Sequence, residues 1–195
     1  GTQMLAKGHH FANITLVAVL DADSGLMSPD FRSHERLGQL LTQVAGRSGR
    51  GKMAGKVILQ THQPDHPLLE VLTQQSYSNY SKLLRKQRKQ SELPPYKQLV
   101  LVRADAAHAQ NAEAFLQSAR QCAEAIFPSG ETVNYLGPLP ALMERRNSRH
   151  RYVLQISGGR RSDLNFLLSQ LVFELEKLPM ARHVRWGVDV DPQEL

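Results

Sequence analysis

Arg47 and Arg50 stand three residues apart in the run Gly46-Arg47-Ser48-Gly49-Arg50. Two planar guanidinium forks on a glycine-punctuated turn can approach a neighbouring phosphate closely. In phosphoryl transfer such a finger stabilises charge on the γ-phosphoryl oxygens and is worth roughly three to five orders of magnitude in rate. A short basic loop that only solubilises a helix end has the same composition, so the motif alone leaves both readings open. The same stretch nearly matches a phosphate-binding loop, with Gly46, four residues, Gly51 and Lys52. The next position should carry a hydroxyl to hold magnesium, and it is Met53. A phosphate loop also joins a strand to a following helix, whereas this one follows a helical pattern and precedes the strand-like KVILQ. No nucleotide cradle is expected here.

A second basic group, Arg145, Arg146, Arg149, His150 and Arg151, lies in a proline- and arginine-rich stretch between two strand-like segments. Read as a loop, it either grips phosphates without base specificity, releasing counterions as it does so, or is a solvated turn. The basic balance of the chain favours the grip. Five basic residues between Lys82 and Lys89 are read instead as the charged face of a helix that links domains. Arg160 and Arg161 precede Ser162 and Asp163 where a helix should begin, and free backbone N–H groups beside guanidinium groups suit an anion such as a peptide carboxylate. His9 and His10 have no cysteine partners and read as loop histidines. Asp21 and Asp23, at a strand end before Ser24-Gly25, read as turn-forming carboxylates rather than a metal pair.

These groups need elements to position them. Ile14 to Leu20 is a nearly continuous apolar run, as expected for a strand buried on both faces of a parallel sheet. Leu37, Leu40, Leu41 and Val44 then repeat at helical spacing, giving a strand, helix, strand order that reads as α/β. Residues 67–90 look helical until Leu93-Pro94-Pro95. After that break QLVLVRA reads as a strand, and Ala112, Phe115, Leu116, Ala119, Cys122, Ala123 and Ile126 form one helix face. TVNYLG and RYVLQIS read as strands, Leu164 to Leu178 as a helix, and Val184, Trp186, Val188 and Val190 as an alternating strand. The pattern βαββαβ predicts a small α+β sandwich. The expected division is 1–75 α/β, 76–96 helical linker, and 97–195 a C-terminal binding domain.

Thr2-Gln3-Met4, Lys7-Gly8-His9-His10-Phe11 and Gln43-Val44-Ala45-Gly46-Arg47-Ser48-Gly49-Arg50 resemble, in order and spacing, motifs V and VI of superfamily 2 helicases. The finer set of GTQMLAKGHHF, LDAD, PDFRSHER, QVAGRSGR, LPPY, LGPLPA and WGVDVDP resembles the primosomal protein N′ family of replication-restart helicases across nearly the whole chain. The resemblance implies an ATP-driven 3′ to 5′ DNA helicase that recognises stalled forks and D-loops and assembles a primosome, with residues 1–75 as the end of a RecA-like second motor lobe. It further implies that Arg47 and Arg50 sense nucleotide, that Thr2, Gln3, Lys7, Gly8, Gln43 and Gly46 couple nucleotide to DNA, and that the later arginines hold DNA. Arg161 and Asn165 align with positions that bind the acidic C-terminal tail of single-stranded-DNA-binding protein. The main ATP and magnesium site and a cysteine-rich zinc module are expected upstream of Gly1, so the chain alone is expected to be inactive. Two rivals remain: another superfamily 2 motor, such as a recombination-branch remodeller, and a non-enzymatic RNA-binding βαββαβ protein.

Composition agrees with a nucleic-acid partner. The 195 residues carry 24 Lys and Arg against 18 Asp and Glu, a net charge of +6. The single cysteine, Cys122, excludes an internal disulfide and a cysteine-rich zinc site within these residues. The absence of an 18-residue apolar run or a signal-like start leads to the expectation of a cytoplasmic protein with no membrane partner.

Overall fold

The computed structural model describes residues 15–46 and 55–195. Thr2, Gln3, Lys7, Gly8, Arg47 and Arg50 therefore lie outside the described residues. The chain divides into two compact units, Gly1–Gln90 and Ser91–Leu195.

In the first unit β1 (Leu16–Val19) pairs in parallel with β2 (Lys56–Leu59). Between them come a short helix, α1 (Asp23–Leu26), and α2 (Ser33–Ala45); α3 (Pro67–Gln74) and α4 (Tyr77–Gln90) follow. The strand, helix, strand order is as expected, but the apolar run is not buried on both faces: Leu16 is 55% exposed and Leu20 73%. Two strands with their helices stacked on one side leave the other side of the pleat open. The stretch over 67–90 is helical as expected and consists of two helices. Pro67 takes the first position of α3, where it has no N–H to lose, and the His66 ring caps the turn by accepting from Leu68 N at 3.2 Å. The second helix is not a linker. Tyr80 and Leu84 of α4 are buried with Leu37 and Leu41 of α2 and Leu68 and Leu69 of α3. The close approach depends on Gly38, where a Cβ would lie 2.3 Å from a ring carbon of Tyr80. The Tyr80 hydroxyl donates to His34 O at 2.6 Å, and burial pushes its pKa up to about 12.

The second unit is a small α+β sandwich. Its elements are β3 (Gln98–Ala106), α5 (Ala109–Ile126), β4 (Val133–Arg146), β5 (Arg149–Gly158), α6 (Arg161–Lys177), a 3-10 turn (Pro179–Arg182) and β6 (Arg185–Val190). The sheet order is β4-β5-β3-β6, antiparallel throughout. Alternation gives the sheet one face for the helices: Val100, Val102 and Ala104 of β3 and Leu154 and Ile156 of β5 pack with Phe115, Leu116 and Ala119 of α5 and Leu167, Leu171 and Leu175 of α6. The alternation expected of β6 breaks at its end, where Asp189 is half-buried and Val190 half exposed.

Residues 138–150 depart most from the sequence-based expectation. Read as a loop, they are instead the outer part of a hairpin, β4 running to Arg146 and β5 beginning at Arg149. Asn147 and Ser148, at φ 50° and 58°, close it as a two-residue turn. Prolines 138 and 140 are tolerated because β4 is an edge strand paired only with β5, and its register shifts twice, between Leu136 and Leu139 and between Pro140 and Arg145.

Candidate nucleic-acid interface

The face of the second unit's sheet turned away from the helices carries the arginines. In β3 the residues between Val102, Ala104 and Ala106 are Arg103 and Asp105, so alternation places both on the open side. Pairing sets Arg103 between Val153 and Gly187, and Asp105 between Arg151 and Arg185. Arg146 and Arg149 face each other across the hairpin turn. The result is a cleft of about 510 Å³ whose wall includes Arg103, Arg146, Arg149, Arg151 and Arg185, with Asp105 and Asp189 as its carboxylates. Five permanently charged guanidinium groups against two carboxylates leave the cleft cationic.

The two carboxylates are already committed. Arg149 bonds Asp105 through Nε to Oδ1, and through Nη2 to the backbone oxygen at 2.8 Å. Arg103 reaches Asp189 from Nη2 at 3.1 Å and from Nε at 3.3 Å, and also bonds Glu194 O. Arg146, Arg151 and Arg185 have no acidic partner among the described residues. The cleft thus combines two fixed guanidinium groups that shape it with three that can bond an incoming anion. A phosphate backbone suits such a surface, since arginine forks match phosphate oxygens in pairs.

Of the four arginines singled out in sequence, the fold brings together Arg146, Arg149 and Arg151 and leaves Arg145 exposed outside the cleft wall. Arg149 is an internal partner of Asp105 rather than a free grip. Sequence reading missed Arg103 and Arg185, each the one arginine of its strand. Their only signal was alternation, which puts a lone arginine on the polar side of a two-sided strand.

Arg161 and Asn165, in the same unit, are not part of the cleft wall. Both are exposed on the first turns of α6, whose N-terminus has no side-chain cap, and Phe166 beside them is 57% exposed. Gln43 is exposed on α2, and Gly46 caps that helix by donating to Thr42 O at 3.0 Å. Asp21 forms the expected turn, accepting from Ser24 N at 3.1 Å. Asp23 does not: it spans to the end of β2, where it accepts from the Thr61 hydroxyl and from His62 N at 2.9 Å and Nδ1 at 2.7 Å. Among the described residues no three His, Cys, Asp or Glu side chains gather as a metal site, and no helix is long and apolar enough to cross a membrane.

Residues 89–193 match the family model described as the primosomal protein N C-terminal domain. Replication restart protein PriA of Haemophilus influenzae is 42% identical over 195 residues, 100% of this chain and 26% of the relative. The proteins of that name from Synechocystis sp. and Bacillus subtilis are 38% and 35% identical over 192 residues, 98% of this chain and 22% and 24% of theirs. The chain spans about a quarter of the length of these curated relatives.

Proposed function

The chain belongs to the primosomal protein N C-terminal domain family, and from that membership we propose that it is the C-terminal part of a DNA helicase of replication restart, with its second unit serving as a phosphate-gripping module. The observation that carries the reading is the cationic cleft, in which Arg146, Arg151 and Arg185 converge without acidic partners among the described residues. Backbone contacts of this kind hold forked or single-stranded DNA in register without reading sequence. Residues 1–75 then act as the end of a RecA-like lobe. Arg47 and Arg50 sense nucleotide, Thr2, Gln3, Lys7, Gly8, Gln43 and Gly46 act as couplers, and the rest of the parent supplies the main ATP, magnesium and zinc sites. Arg161 and Asn165, with exposed Phe166, fit the acidic, apolar tail of single-stranded-DNA-binding protein. Other primosome proteins complete the set of partners.

The test is a salt titration of binding to a short branched DNA by the chain and by its Arg146→Ala, Arg151→Ala, Arg185→Ala variant. The slope of log K against log salt is expected to flatten by about 0.9 for each phosphate that the variant no longer neutralises, equally for unrelated sequences. Thermal unfolding should hardly move, because these side chains are not in the core. Unchanged slope and affinity in a folded variant would remove the cleft from the DNA-binding surface.

A further inference from the structure

The basic run from Lys82 to Lys89 is not the featureless charged face that its composition suggests. Arg88 is turned inward: Nη2 bonds Glu35 Oε2 at 2.7 Å, and its guanidinium lies 5.0 Å from the Phe31 ring centre. Lys82, Arg85, Lys86 and Lys89 are exposed, at spacings of three, four and seven residues, which is one stripe of a helix. No acidic residue occurs in α4, and none of the four has an acidic partner among the described residues. The apolar side chains of the helix, Tyr80, Leu83 and Leu84, belong to the unit's core. The stripe is therefore cationic with no apolar centre.

That combination selects the ligand. A protein partner needs an apolar or aromatic anchor at the middle of its interface, and a membrane needs an apolar face to enter; the stripe offers neither. Single strands are held largely by base stacking on aromatic rings, which are also missing from it. A duplex backbone needs only spaced cations. Seven residues of helix advance about 10.5 Å, and phosphates on one strand recur about every 3.4 Å along the duplex axis, so four cations can span about three phosphates. We infer that the exposed stripe Lys82, Arg85, Lys86 and Lys89 of α4 is a sequence-independent binding site for the phosphate backbone of duplex DNA. The site shares with the proposed function only the premise that DNA is the partner; its residues are separate from those of the cleft.

The experiment compares the chain with its Lys82→Gln, Arg85→Gln, Lys86→Gln, Lys89→Gln variant on a 20-base-pair duplex and on oligothymidine across a salt series. Glutamine keeps helix propensity and removes the charge. Duplex affinity at about 50 mM salt should fall at least tenfold and the salt slope by about two to three units, while oligothymidine affinity stays within about twofold. A second measurement needs no variant: lysine acetylation read by mass spectrometry should slow at Lys82, Lys86 and Lys89 when duplex is added to the wild-type chain, and not when polyglutamate is added. An unchanged duplex slope, equal losses on both nucleic acids, unprotected lysines or equal protection by polyglutamate would each overturn the assignment. With both variants also scored on the branched DNA, a loss with the stripe variant and none with the cleft variant would sink the cleft reading and keep this one, and a loss with the cleft variant and none with the stripe variant would do the reverse.

Discussion

Asp23 receives three hydrogen bonds, from the Thr61 hydroxyl, the His62 amide and the His62 ring, and these donors lower its pKa from 3.8 to about 2. Hydrogen bonds to an ionised carboxylate favour the ionised form, so the contribution to stability is complete above the unfolded pKa and lost as pH falls towards 2. Asp23 ties the end of β1 to the end of β2 across 39 positions of sequence. The urea midpoint of the first unit is accordingly expected to drop between pH 4 and pH 2 more steeply in wild type than in Asp23→Asn, which has no carboxylate to protonate. Parallel pH profiles would mean that the three donors do not distinguish the two protonation states. The pairing was invisible in sequence because Thr61 and His62 become neighbours of Asp23 only once the two strands are in parallel register. The same holds for Arg88, since a run of like charges does not show which member faces Phe31 and Glu35.

Among the elements, those built on a period were legible. The apolar faces of α5 and α6 and the βαββαβ order follow from spacings of three to four and of two, and Ala112, Phe115, Leu116, Ala119, Leu167 and Leu171 are all buried as that spacing requires. The β4–β5 hairpin was not legible, because the outer half of β4 buries only Ala141, too little to impose alternation, and prolines ordinarily argue against a strand. Convergence of the cleft residues was not legible either, since it depends on register, which pairs Asp105 with Arg151 on one side and Arg185 on the other. Within the turn that closes the hairpin, Asn147 suits a positive φ, whereas Ser148 at φ 58° bears the steric cost of a Cβ in the left-handed region, about 1 kcal/mol. Ser148→Gly should relieve that strain, less the greater entropy glycine loses on folding. A net gain of about 0.5 kcal/mol, or a few degrees in Tm, is expected by calorimetry, with DNA affinity unchanged. A lower Tm would mean that the Ser148 side chain contributes more to the turn than its backbone costs.

At the scale of the whole molecule the charge is divided unevenly. Residues 91–195 contain twelve Lys and Arg and twelve Asp and Glu, so the entire excess of +6 resides in residues 1–90. Net charge alone would assign DNA binding to the first unit and none to the second. Placement lets the second unit bind as well, because a neutral unit can concentrate five guanidinium groups in one cleft while most of its carboxylates lie elsewhere. Counterion release depends on local contacts rather than on total charge, so a neutral unit can still bind with a steep salt dependence. Residues 91–195 also have their own core, centred on Phe115, Leu116, Leu154, Ile156, Leu167 and Leu171, and are expected to fold when expressed alone. That piece should bind branched DNA with the same salt slope as the full chain carrying glutamine at Lys82, Arg85, Lys86 and Lys89, and with a slope about two to three units shallower than wild type. The comparison requires circular dichroism to show that both proteins are folded and a salt titration on one DNA. A folded piece without salt-dependent binding would place the grip in the first unit, following the net charge. A piece that retains the full wild-type slope would leave the stripe on α4 no share in binding.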